Sequence, residues 1–175
     1  MTDEQQRLAR RYADSALARG ACDAVPFGIA DICFDPRTLL KCMYGCPDWG
    51  KSHTCPSRPG NPSMDELRRM FERYACGIVI HTHDKALSQR ISFAVEAEAY
   101  QDGLYFAFSL SDCAMCATCA GFEGKPCRFP HNARPAFHSV GIDVYRTVRN
   151  LGLPLYPLRD AEREEQNWYS AVFLE

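Results

Sequence analysis

The sequence predicts a single α+β (α/β mixed) domain over residues 1–175, with a mixed sheet of about four strands flanked by helices and two cysteine-rich loops. Three observations carry this expectation. Capped stretches with apolar residues three and four apart mark helices. Short apolar or aromatic runs bounded by Gly, Pro or Asp mark strands. These alternate as strand, cysteine loop, helix, strand, helix, strand, cysteine loop, helices and strand, the pattern of a sheet with helices packed on it. A chain of 175 residues with 46% hydrophobic content can bury one good core and is short for two.

Thr2 to Gln5 form a capping box at the head of a helix with Leu8, Tyr12 and Ala16 on one face and Gly20 as its stop. Val25 to Phe34 alternates imperfectly and reads as a strand. Six Gly and Pro residues between Gly45 and Gly60 predict irregular backbone over cysteine loop 1, residues 40–62. Ser63 to Glu66 form a second capping box before Leu67, Met70, Phe71 and Tyr74, an apolar helical stripe. Cys76 to His81 is a buried strand, and Ala86 to Asp102 a helix stopped by Gly103. The aromatic run Leu104 to Leu110 reads as a strand leading straight into cysteine loop 2, residues 111–130. A short helix from Pro135 to Gly141 and a second one capped by Asp143 follow. A charged segment and a closing strand over Trp168 to Leu174 complete the chain.

Composition narrows the function classes. The net charge of −2 is nearly balanced and the Arg and Lys residues are scattered, so neither a nucleic-acid stripe nor a membrane-binding patch is expected. No apolar run approaches the ~20 residues of a membrane helix. The charged opening residues do not resemble a signal, so a cytoplasmic protein is expected. Its ten cysteines are then held reduced, and metal binding accounts for them better than disulfides do.

Loop 2 carries Cys113, Cys116 and Cys119 at C-x2-C-x2-C spacing, with Cys127 after a loop containing Gly121 and Gly124. All-sulfur sites select zinc, copper(I) or iron–sulfur clusters. Zinc sites usually pair two separated knuckles, whereas the consecutive three-cysteine run is the pattern of 4Fe-4S ferredoxins. Loop 1 offers Cys42, Cys46 and Cys55, three thiols with no obvious fourth. Asp48 and His53 are the in-loop candidates for the remaining position; alternatively Cys55, followed by Pro56, crosses to the other site. Lys41, Lys51 and Arg58 flank the loop and could offset thiolate charge. Cys22 and Cys33 read as structural thiols, and His81 and His83, at a strand end, as hydrogen-bonded or surface residues.

Taken together, Asp35-Pro36-Arg37, Leu40-Lys41-Cys42, Gly45-Cys46-Pro47, Cys55-Pro56, the Cys113 to Cys119 run, Lys125-Pro126-Cys127-Arg128, Ala133-Arg134-Pro135 and Gly141-Ile142-Asp143 resemble the predicted metal-binding proteins grouped as domain of unknown function 2284. The resemblance covers almost the whole chain. It implies metal binding through the cysteines and supplies no reaction.

The residues therefore point to an iron–sulfur protein with one or two 4Fe-4S clusters, passing electrons to a partner redox enzyme. Two alternatives stand beside it. One is a cluster-dependent enzyme using an open iron at Cys42, Cys46 and Cys55, with Tyr44, Asp48, Lys51 and His53 nearby. The other is a zinc-stabilised binding module. The sequence sets no oligomeric state, and no phosphate loop, nucleotide fingerprint or serine-nucleophile motif competes.

Overall fold

The computed structural model describes residues 1–160 and 163–175. The opening helix α1 runs Asp3–Ala18, with both halves of the Thr2–Gln5 capping box formed. Strand β1 (Asp23–Gly28) stops earlier than its apolar pattern suggests, because the Asp31 carboxylate accepts the Gly28 N–H at 2.8 Å and draws Ile29–Asp31 into a 3-10 turn. Helix α2 (Thr38–Gly45) follows, then α3 (Met64–Phe71) with its Ser63–Glu66 capping box, β2 (Cys76–Thr82) and α4 (Lys85–Gln101). Strand β3 is only Phe108–Leu110: Leu104 to Ala107 turn back from α4 and leave Tyr105 and Phe106 on the surface. A 3-10 turn at Phe137–Val140, helix α5 (Val144–Asn150) and strand β4 (Trp168–Phe173) complete the order. The charged segment before β4 falls partly outside the described residues.

The α+β class and the four strands are as expected, but the sheet is antiparallel throughout rather than mixed. Its order is β1-β2-β4-β3, with the C-terminal strand inserted between the second and third. That insertion pairs β4 antiparallel to both neighbours, so no parallel crossover arises.

Helices cover both faces of the sheet. All seven residues of β2 are buried and alternate between two cores. Cys76, Ile78 and Ile80 point to α1 and α4, against Tyr12, Ala16, Ile91 and Val95. On the other face Val79 joins Phe27, Phe71, Phe137, Val140 and Phe173. His81, also buried, is held by Asp23 Oδ2 and Asn167 Oδ1, each at 2.7 Å, and stacks on Tyr169. His83 lies against the Gln166 carbonyl at 3.1 Å.

Gly77 shows how tightly the second core is set. It pairs with Phe27 on one side and Phe173 on the other, and their rings close over it edge to face, centroids 5.1 Å apart. A Cβ at this position would collide with the Val172 carbonyl and come within 2.5 Å of the Phe27 ring. Gly77→Ala is expected to lower stability by about 1–3 kcal/mol, the cost of overpacking a filled core. The denaturant midpoint checks this, with the urea slope unchanged.

Candidate metal centre

Helix α2 is the first local feature that positions the site. Asp35 accepts the Arg37 N–H at 3.0 Å and its side-chain Nε–H at 2.9 Å, closing the turn that starts the helix. The carboxyl of Asp35 is held down to about 2 by these hydrogen bonds to Arg37. The irregular backbone expected over residues 40–62 therefore begins only at Cys46. Leu39 to Tyr44 contain no Gly or Pro, so the chain there stays helical and carries Cys42 into the interior. Cys42 and Cys46 are one helical turn apart, with the Cys46 N–H directed at the Cys42 carbonyl at 3.3 Å.

From Cys46 to Pro62 the chain is a succession of turns. Gly50 has a positive φ of 77°, and its N–H donates to the Cys55 sulfur at 3.3 Å. The Ser57 hydroxyl stands 3.0 Å from the same sulfur, and the Asn61 amide donates to the Cys55 carbonyl at 2.9 Å. Cys55 is thus buried with two hydrogen-bonding groups at its sulfur, the environment that orients a ligating thiol.

Loop 2 hangs from the end of β3. The Ser111 N–H bonds to the Pro135 carbonyl, so the two ends of the loop start side by side. Gln89, buried on α4, holds it at two points: its Oε1 accepts the Ala114 N–H at 2.6 Å and its Nε2 donates to the Asn132 carbonyl at 3.2 Å. Two turns further along α4, Glu96 takes the Arg134 guanidinium at 2.5 and 2.9 Å and also binds Ser109. Arg134 lies between the Phe93 and Phe108 rings.

The two loops then meet. His53 Nε2 donates to the Lys125 carbonyl at 2.8 Å, and Gly121 passes so close to loop 1 that a Cβ there would collide with the Lys51 carbonyl. Between them lies a cavity of about 260 Å³ whose walls include Cys42, Cys46, Cys55, Cys113, Cys116, Cys119 and Cys127. All seven thiols singled out in the sequence therefore face one space. Cys22, Cys33 and Cys76 do not line it, and Cys33 instead accepts from the Asn150 amide at 3.3 Å. No cysteine is in a disulfide.

Asp48 and His53 also line the cavity, whereas Lys41, Lys51, Arg58, His81 and His83 do not. The Lys51 ammonium is turned to the Pro47 carbonyl at 2.8 Å. The cations at the walls are Lys85 and Arg128, and the cavity also receives Asp112 and His138. Asp112 and Arg128 are marked in the sequence only by adjacency to Cys113 and Cys127. Lys85 and His138 come from remote elements and carry no local signal; only the packing of α4 and of the Phe137–Val140 turn brings them in.

The donor set suits a soft cation. Burial pushes the Cys42 thiol up to about 11, and the nearby Cys46, Cys55 and Asp112 push the same way. A bound cation reverses that balance, because it favours the ionised sulfur and releases its proton. Among the described residues, no group of three or more His, Cys, Asp or Glu side chains converges on one point where a single metal ion would sit. The thiols line the cavity walls instead.

No helix among the described residues is long and apolar enough to cross a membrane. No curated protein and no solved structure matches the chain. The family described as predicted metal-binding protein (DUF2284) matches residues 26–174, and the chain belongs to that family.

Proposed function

We propose that this is an iron–sulfur protein with two neighbouring 4Fe-4S centres, working in the cytoplasm to pass single electrons to a partner redox enzyme. The observation that carries the reading is the convergence of both cysteine loops on one cavity. At about 260 Å³ it is many times the ~10–15 Å³ that suffices for one water, so its walls can enclose far more than one ion. The first centre belongs to Cys42, Cys46 and Cys55, the last two both within electrostatic reach of Cys42. The second belongs to Cys113, Cys116, Cys119 and Cys127, whose spacing follows the ferredoxin run.

A cluster supplies one-electron chemistry at a potential set by charge, hydrogen bonding and exposure. The chain's own groups act on those variables. The Gly50 N–H and the Ser57 hydroxyl donate to the Cys55 thiolate and stabilise its charge, which favours the reduced state of whatever it ligates. Lys85 and Arg128 at the walls act in the same direction. Access for a partner is supported by the surface around the site. Leu40, Met43 and Tyr44 on α2, with Phe122 and Phe129 on loop 2, are exposed apolar side chains of the kind that partners cover.

Protein prepared without oxygen is expected to be brown and to contain about eight irons per chain with a comparable amount of sulfide, four for each cluster. Colourless protein with stoichiometric zinc would overturn the proposal. Cys55→Ser is expected to remove roughly half of the iron and leave the loop 2 centre intact; unchanged iron content would exclude Cys55 as an essential ligand. Gly121→Val, which forces loop 2 away from Lys51, is expected to lower iron loading several-fold without moving the urea midpoint of the sheet. Full loading in that variant would show that the loops bind independently.

A further inference from the structure

We propose that His138 is the fourth ligand of the centre held by Cys42, Cys46 and Cys55; the inference rests on the iron–sulfur reading above and completes its incomplete ligand set. Three cysteines leave one position of a cubane cluster to be filled by another donor. His138 lines the same cavity as these three thiols and arrives on the Phe137–Val140 turn, which packs against α2, the helix carrying Cys42.

The turn fixes where the imidazole sits. Phe137 and Val140 on either side are buried in the core, and Gly141 closes the turn at φ 83°, its N–H on the His138 carbonyl. Among the described residues the His138 side chain has no hydrogen-bond partner, so both ring nitrogens are available. A half-buried imidazole on a turn flanked by buried residues, at the wall of the cavity that the thiols also line, stands where a ligand to their centre is needed.

The two candidates visible in the sequence are less well situated. His53 spends its Nε2 on the Lys125 carbonyl and so serves to join the loops. Asp48 is exposed. Asp112 lies within the field of Cys42, but a carboxylate would add another negative charge to a cavity that already gathers seven thiols. Neutral imidazole completes the set without that cost, and replacing thiolate by histidine on iron is known chemistry that raises the potential.

The test is pulsed electron paramagnetic resonance on the reduced, anaerobically prepared full chain, with 14N- or 15N-labelled histidine. The expected result is a histidine nitrogen coupling in the wild type that persists in His53→Gln, whose side-chain amide can still donate to the Lys125 carbonyl, and disappears in His138→Ala. His138→Cys is expected to keep the iron while losing the coupling, which separates a ligand from a residue needed for folding. A coupling that survives in His138→Ala overturns the assignment, as does its absence from a wild type holding about eight irons per chain. Loss of the signal in Asp112→Asn, with no nitrogen coupling in the wild type, assigns the position to the carboxylate instead. A wild type that binds no iron overturns the iron–sulfur reading itself, an outcome read from metal analysis before any resonance experiment.

Discussion

Like charges gathered in a partly buried space govern this molecule. Two unit charges ~4 Å apart at an effective dielectric of ~20 repel by about 4 kcal/mol. Seven thiols and the Asp112 carboxylate around one cavity cannot all ionise unless positive charge sits among them. Lys85 and Arg128 at the walls are too few for that set, and at Cys42 burial pushes the thiol up first, with Cys46, Cys55 and Asp112 adding to it. A cation or a cationic cluster core resolves it, and the family's description as metal-binding agrees with the physics of the donor set.

Holding so many mutually repelling groups together requires a scaffold that does not depend on them. The antiparallel sheet supplies it, with cores on both faces that contain only one of the ten cysteines, Cys76. The links from scaffold to site are few and specific. Gln89 fixes the two ends of loop 2, the Glu96–Arg134 pair ties its return to α4 and β3, and the Phe137–Val140 turn backs α2. Loop 1 has less support from the sheet and leans on loop 2 through His53 and Gly121. The two loops therefore meet as one unit, in which loop 1 is positioned partly by loop 2.

Much of this was legible in the sequence because it is encoded locally. Capping boxes at Thr2 and Ser63, the apolar run from Cys76 and the closing run from Trp168 all became the expected elements. The cysteine spacings singled out the seven thiols that the fold gathers into one cavity. What escaped was set by tertiary contacts. Leu104 to Ala107 have strand-like side chains but no strand partner among the described residues, where only Phe108–Leu110 lie alongside β4. The insertion of β4 into the middle of the sheet, which makes every pairing antiparallel, depends on long-range packing that no local pattern records. His138 and Lys85 reach the site from elements remote in sequence, so nothing near either residue marks it.

The C-x3-C spacing of Cys42 and Cys46 could have been read differently, and the difference bears on function. In a knuckle the spacing is two residues; three intervening residues place the pair at i and i+4, on one face of a helix. Helix α2 realises this geometry and gives the two sulfurs unequal surroundings, Cys42 buried and Cys46 exposed at the helix end. A centre bound by both spans the boundary between interior and surface. Cys42, on the buried side, lines the cavity with the loop 2 thiols, while Cys46 lies at the helix end close in sequence to the exposed Met43 and Tyr44. Under the proposed electron-carrier role, that polarity would couple one side inward to the other set of thiols and leave the other within reach of a partner.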